Sequence, residues 1–224
     1  MNTSSEVINA IESAISGAIE NLFAEHRKES FYYISLITTG EGLAPFLSAW
    51  SWEALERISS QQASPAAPRR EMKWSYADSP YCCYGDALFA DVRRIFSSLP
   101  APPLGRIDAW CEEVAWRISL MEEAVRRLDR AGLFGSDEAR RGRVILVEVV
   151  PPDRSNTERA LRLNPISPIL QEWLREAGEW GRNTFSKPAR TTLSSASSEL
   201  SSGRFRISLG SSGARARVCV CMYV

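Results

Sequence analysis

The residues best equipped for chemistry fall in one short stretch, MKWSYADSPYCCYGD, which sets Trp74, Tyr76, Asp78, Tyr81 and Tyr84 among Lys73, Cys82 and Cys83. Aromatic side chains give a large contact area at modest entropy cost, and an aspartate among tyrosines can act as a hydrogen-bonded anchor. These five residues are the candidate binding set. The competing structural reading is an irregular segment pinned to a core by Trp74, with tyrosine tips at the surface. Asp78 as a general acid or base would need a second titrating partner. Asp86, Glu148 and Asp153 are all available, and the sequence does not choose among them. Glu148 stands out because it interrupts the apolar run VILVEVV. Inside a core it would need a partner such as an arginine, so an outward direction on a wet sheet face is the expectation.

Other chemistries find little footing. G-x-S-x-G, Walker and dinucleotide glycine patterns are absent, and a Cys-His pair would have to recruit His26, the sole histidine. Cys82-Cys83 and the C-x-C of Cys219 and Cys221 lack zinc-type C-x-x-C spacing, so no metal and no cofactor is expected. Five cysteines, an odd number, form no framework of the secreted kind and fit a cytoplasmic protein. The N-terminal segment lacks a basic n-region, and no apolar run is long enough to cross a bilayer, so neither export nor a membrane is expected.

The elements that must carry these residues are read from periodicity. Thr3-Ser4-Ser5-Glu6 reads as a capping box before Ile8, Ile11, Ile15, Ile19 and Leu22, a helix ending near Lys28 with His26 in its last turn. SFYYISLITTG reads as a central strand and LAPFLSA as its hairpin partner, kept to an edge or bulge by Pro45. Ser51 caps a short helix, WEALERISS, and QQASPAAPRRE reads as a mobile loop. A helix about Leu88–Leu99 is stopped by PAPPLG.

The strongest signal is a long helix over 107–131, whose stripe of Ile107, Trp110, Cys111, Val114, Ile118, Met121, Val125 and Leu128 should lie on a sheet. Gly132 reads as its left-handed C-cap, with Leu133 and Phe134 folding back onto the core. SDEARRGR reads as a solvated connection and VILVEVV as a second central strand halted by Pro151-Pro152. A helix capped by Ser155 or Asn156 and another starting at Ser167-Pro168 follow.

The expected architecture is one α+β domain, residues 1–178, in which a small, mainly antiparallel or mixed sheet packs against several helices. Residues 179–224 form a Ser/Arg-rich low-complexity tail, expected to be poorly ordered, with RFRISLG and RVCVCMYV as its only strand-like runs. Residues 180–224 hold seven basic residues against Glu199, a net of +6, so with a total of zero the rest of the chain carries −6. An acidic body argues against nucleic acid as the main partner and for a basic protein.

The order of landmarks ESFYYISLITTG, MKWSYADSPY, EEAVRRLDRAGLFG, RVILVEVV and RLNP resembles the bacterial family called domain of unknown function 4303, over about residues 5–178. A second tryptophan expected soon after Asp78 is replaced here by Ser79-Pro80-Tyr81. The resemblance implies no established chemistry. The company such proteins keep in toxin and immunity loci implies a cytosolic protein-binding module, an immunity or adaptor protein for a basic partner such as a toxin. The alternative is an enzyme with a non-standard carboxylate site near Asp78.

Overall fold

Nine residues of near-continuous β-branched and aromatic character, Phe31–Thr39, make the strand on which the molecule is built, β1, and eight of the nine are buried. Residues 4–61, 66–101 and 105–179 are described by the structure, a computed structural model. The strand-like runs, the cysteines at 219 and 221 and the expected disorder of the tail lie outside the described residues. β2 (Phe46–Ser51) pairs antiparallel with β1, and β3 (Val144–Val150) pairs parallel with its other side, so the order is β2-β1-β3 and the sheet is mixed. The hairpin closes through Gly42, whose φ of +63° suits glycine, and Gly42 N–H donates to Thr39 O over 2.9 Å.

Among the described residues, eight α-helices surround this sheet: α1 (Ser4–Glu25), α2 (Trp52–Ser59), α3 (Ala66–Met72), α4 (Ala90–Ser98), α5 (Ile107–Arg130), α6 (Asp137–Arg141), α7 (Arg154–Leu163) and α8 (Pro168–Glu176). A 3-10 turn, Asp86–Phe89, leads into α4. The buried stripe of α1, including Ile8, Ile11, Ile15, Ile19 and Leu22, packs against α5, where Leu120, Met121 and Val125 are buried. At about 25 cal/mol per Å2 of apolar surface, this one continuous core supplies the main stabilising term. Ser51 caps α2 by accepting from Ala54 N–H, and Ser167 does the same for Leu170 N–H ahead of Pro168. Past α5 the Gly132 turn forms as its sequence implies, with φ +83° and Leu133 N–H donating to Leu128 O, and Phe134 is buried.

Several expectations are corrected. The Pro- and Ala-rich stretch contains a short helix, α3, because alanine and arginine favour helix once the chain is past Pro65. SDEARRGR holds α6, and within it Arg140 is buried: it pairs with Asp129 at 2.6 Å and donates to Arg143 O, Leu163 O and Asn164 Oδ1. The first turns of α5 do not lie on the sheet: Ile107 is 71% exposed and Cys111 is exposed. A 24-residue helix spans about 36 Å, whereas seven-residue β3 spans about 23 Å, so α5 overruns the sheet. Asp153, not Ser155 or Asn156, caps α7.

β3 is an edge strand rather than a central one, yet its outer edge is not open. From α7 and the residue after it, Asn156 accepts from Val149 N–H and donates to Val149 O, and Asn164 does the same for Ile145. Between them Arg159 Nε donates to Val147 O. A primary amide presents one donor and one acceptor, as a peptide does, so these side chains stand in for a fourth strand.

Candidate functional site

The opposite edge, that of β2, is closed by the aromatic segment. Between α3 and the 3-10 turn the chain from Lys73 to Gly85 runs through successive turns and is bound to β2 by side chains and backbone in alternation. Trp50 Nε1 donates to Ser75 O, Ser48 Oγ to Tyr76 O, and Tyr84 N–H to Leu47 O, at 2.8, 2.9 and 3.1 Å. Ser79 Oγ donates to Ala49 O while accepting from Tyr81 N–H. Gly85 ends the segment at φ +68°, where a Cβ would come within 2.9 Å of Ala18 Cβ, so both backbone and packing require glycine.

The five candidate residues of this segment do not converge. Trp74 is buried against Tyr32, with ring centroids 5.3 Å apart, and its indole N–H donates to Glu176. Lys73 Nζ sits 4.8 Å from the Trp74 ring centroid and pairs with Glu172 at 2.6 Å and Glu176 at 3.0 Å. Tyr32 stacks on Trp52 and donates its hydroxyl to Lys73 O, joining β1, α2 and α8 through one aromatic group. Tyr76 is half-buried beside Phe46, and Asp78 is exposed.

Tyr81 and Tyr84 turn the other way, toward the C-terminal end of α1. Tyr84 OH donates to Glu25 and Tyr81 OH to Glu29, each over 2.6 Å. Glu29 also accepts from Ser51 Oγ and from Arg57 at 3.2 Å, and His26 Nδ1 lies 3.3 Å from the Tyr81 hydroxyl. Burial pushes the Glu29 carboxyl up, but the bonds from Ser51, Tyr81 and Arg57 together outweigh it and hold the group below its ordinary range. Burial, reinforced by the Glu29 carboxylate, pushes Tyr81 up to about 12, so it remains a phenol that donates. Glu29 is therefore an ionised acceptor and Tyr81 a fixed donor. Neither is poised to exchange a proton near neutrality.

A third group surrounds Glu148, whose carboxyl points inward, contrary to the sequence expectation. The residue keeps some surface, but Tyr33 OH and Ser35 Oγ both donate to Oε2, at 2.5 and 2.6 Å. Parallel pairing sets Ile37 beside Glu148 and so puts Tyr33, Ser35 and Glu148 on one face of the sheet. Burial pushes this carboxyl above its usual range, against the opposing effect of Ser35, Tyr33 and the positive charge of Arg159. Tyr76 is raised by burial and, less, by the charges of Cys82, Glu148 and Cys83.

Sequence reasoning missed Glu29, Arg57, Tyr33 and Ser35. The signals available were the acid inside VILVEVV and the alternate polar positions of β1; nothing local marks Glu29. A cleft of about 960 Å3 opens among Trp52, Glu138, Arg141, Gln171, Glu172 and Arg175, and Asp78 does not line it. Among the described residues no cluster of His, Cys, Asp or Glu could hold a metal ion, and no helix is long and apolar enough to cross a membrane. No curated protein and no solved structure matches the chain. Residues 11–165, more than half of it, match the model of the family described as Domain of unknown function (DUF4303), and the chain belongs to that family.

Proposed function

We propose that this member of the domain of unknown function 4303 family is a protein-binding module, an immunity or adaptor protein whose partner is a basic protein such as a toxin domain. The observation that carries the reading is the uncovered start of α5. Ile107 is 71% exposed, Cys111 is exposed, and Trp110 and Val114 are half-buried, on turns that also present exposed Asp108 and Glu112. An apolar centre with a tryptophan supplies binding energy when desolvated, and an acidic rim steers a basic partner and selects against acidic ones. The net charge of −6 on residues 1–179 acts in the same direction at longer range.

The alternative, a carboxylate enzyme near Asp78, has weaker support. The Asp78 side chain is exposed, has no hydrogen bond to another described residue, and does not line the cleft of Trp52, Glu138 and Arg141. The test is calorimetric titration with the purified basic protein encoded beside this chain, at low and high salt. The expected result is a stoichiometric complex that weakens with salt and loses about tenfold or more in affinity on Ile107→Glu or Trp110→Glu. Unchanged affinity in both variants, or no complex, overturns the proposal.

A further inference from the structure

Cys82 and Cys83 are adjacent in sequence, and side chains of adjacent residues in extended chain point to opposite sides. Here their Sγ atoms lie 3.8 Å apart, on the same side of the turn. The backbone of Cys83 has a φ of +56°, in the left-handed region. That region suits glycine or asparagine, and a cysteine there is held by its surroundings rather than by preference. The surroundings are visible: Tyr81 is fixed to Glu29 and Tyr84 to Glu25 and to Leu47 O, so the residues on both sides of the pair are anchored. Both thiols are partly exposed. A conformation that is unfavourable for the residue, and that brings two sulfurs together within reach of solvent, calls for an explanation in the sulfur chemistry.

We infer that Cys82-Cys83 is a modification site, a vicinal dithiol that hydrogen peroxide oxidises to a disulfide between neighbouring residues. One thiolate attacks a peroxide oxygen, the O–O bond breaks, and a sulfenic acid and, after proton uptake, water result. The second sulfur then attacks the sulfenic sulfur, the S–O bond breaks, and its oxygen leaves as water. Two thiols and one peroxide give one disulfide and two waters, with two electrons passing to the peroxide. The sulfurs must close from 3.8 Å to about 2.0 Å. Neighbouring Cα atoms are about 3.8 Å apart, below the usual disulfide span of roughly 4.4–6.8 Å, so the bond is of the strained, readily reduced class that switches rather than staples. Its formation would stiffen the turn that carries Tyr81 and Tyr84 along the β2 edge.

The test uses the full chain with Cys111→Ser, Cys219→Ser and Cys221→Ser, which leaves only this pair. Equimolar peroxide is expected to lower the intact mass by about 2 Da and to remove both titratable thiols, and dithiothreitol should restore them. A gain of about 16 or about 32 Da, covalent dimers, or no reaction overturns the inference. Adding Cys83→Ser must abolish the mass loss. The unsubstituted chain gives an independent reading. After peroxide, alkylation and digestion, the peptide holding 82–83 should be unalkylated and lighter by about 2 Da. An alkylated or oxygenated peptide overturns the proposal equally.

Discussion

The two edges of the sheet are closed by different means. β3 is sealed by three side chains from one helical segment, Asn156, Arg159 and Asn164, which supply peptide-like bonds to Ile145, Val147 and Val149. β2 is sealed by a length of irregular backbone, fastened through Ser48, Trp50, Ser79 and Tyr84. An open edge invites pairing with another chain, so both devices guard the sheet against edge-to-edge pairing. They differ in what else they carry. The helical seal is buried, whereas the irregular seal carries two partly exposed thiols and the half-buried Tyr76. Stability is therefore expected to concentrate at the first edge and reactivity at the second.

The largest expected effect follows from the first edge. Asn164 is buried, and it serves Ile145 N–H and O at 2.8 and 2.7 Å, together with Ala160 O and Arg140. Asn164→Ala strands two backbone groups of a buried strand, so a loss of about 3 kcal/mol is expected in urea unfolding. A loss below about 1 kcal/mol would mean that water replaces the amide, and the helical seal would then be no stronger than an ordinary surface contact. Ser79→Ala probes the second edge. It removes one buried bond to Ala49 O and one from Tyr81 N–H, and about 1–2 kcal/mol is expected by the same measurement. If Ser79→Ala costs more than Asn164→Ala, the comparison is reversed.

The same contrast governs what the sequence made legible. The α1 stripe, the Ser51 and Ser167 caps, the Gly132 turn and the β1–β2 hairpin are written in residues a few positions apart, and each formed as read. The directions of side chains in β3 were not legible. Nearly every position of that strand is buried, so period-two alternation marks no wet face, and Glu148 points inward because β1 offers Tyr33 and Ser35 there. The aromatic segment was found, but its partners were not: Glu25 and Glu176 come from helices, and Glu29 from the connection after α1, all distant in sequence. In SNTERALRLNP, Asn156 reads as a candidate helix cap and nothing singles out Asn164 until β3 is known to lie at an edge.

The smallest effects, and the most discriminating in sign, come from two carboxylates with opposite surroundings. Glu29 sits below its ordinary value of 4.5 in the folded chain, so it contributes stability that is present above that value and lost as pH falls through the folded pKa. Glu29→Gln should therefore cost about 1–2 kcal/mol near pH 7, and progressively less in acid. Glu148 sits above 4.5, so its contribution is complete below that value and is lost as pH rises through the folded pKa. Relative to the unsubstituted chain, Glu148→Gln should grow more stable between about pH 4 and pH 7, the reverse of Glu29→Gln. Urea unfolding of both variants and the unsubstituted chain at those two pH values checks this. Parallel trends would mean that Glu148 stays ionised without penalty, and that the face it shares with Tyr33 and Ser35 is as well solvated as the surface acids of α1.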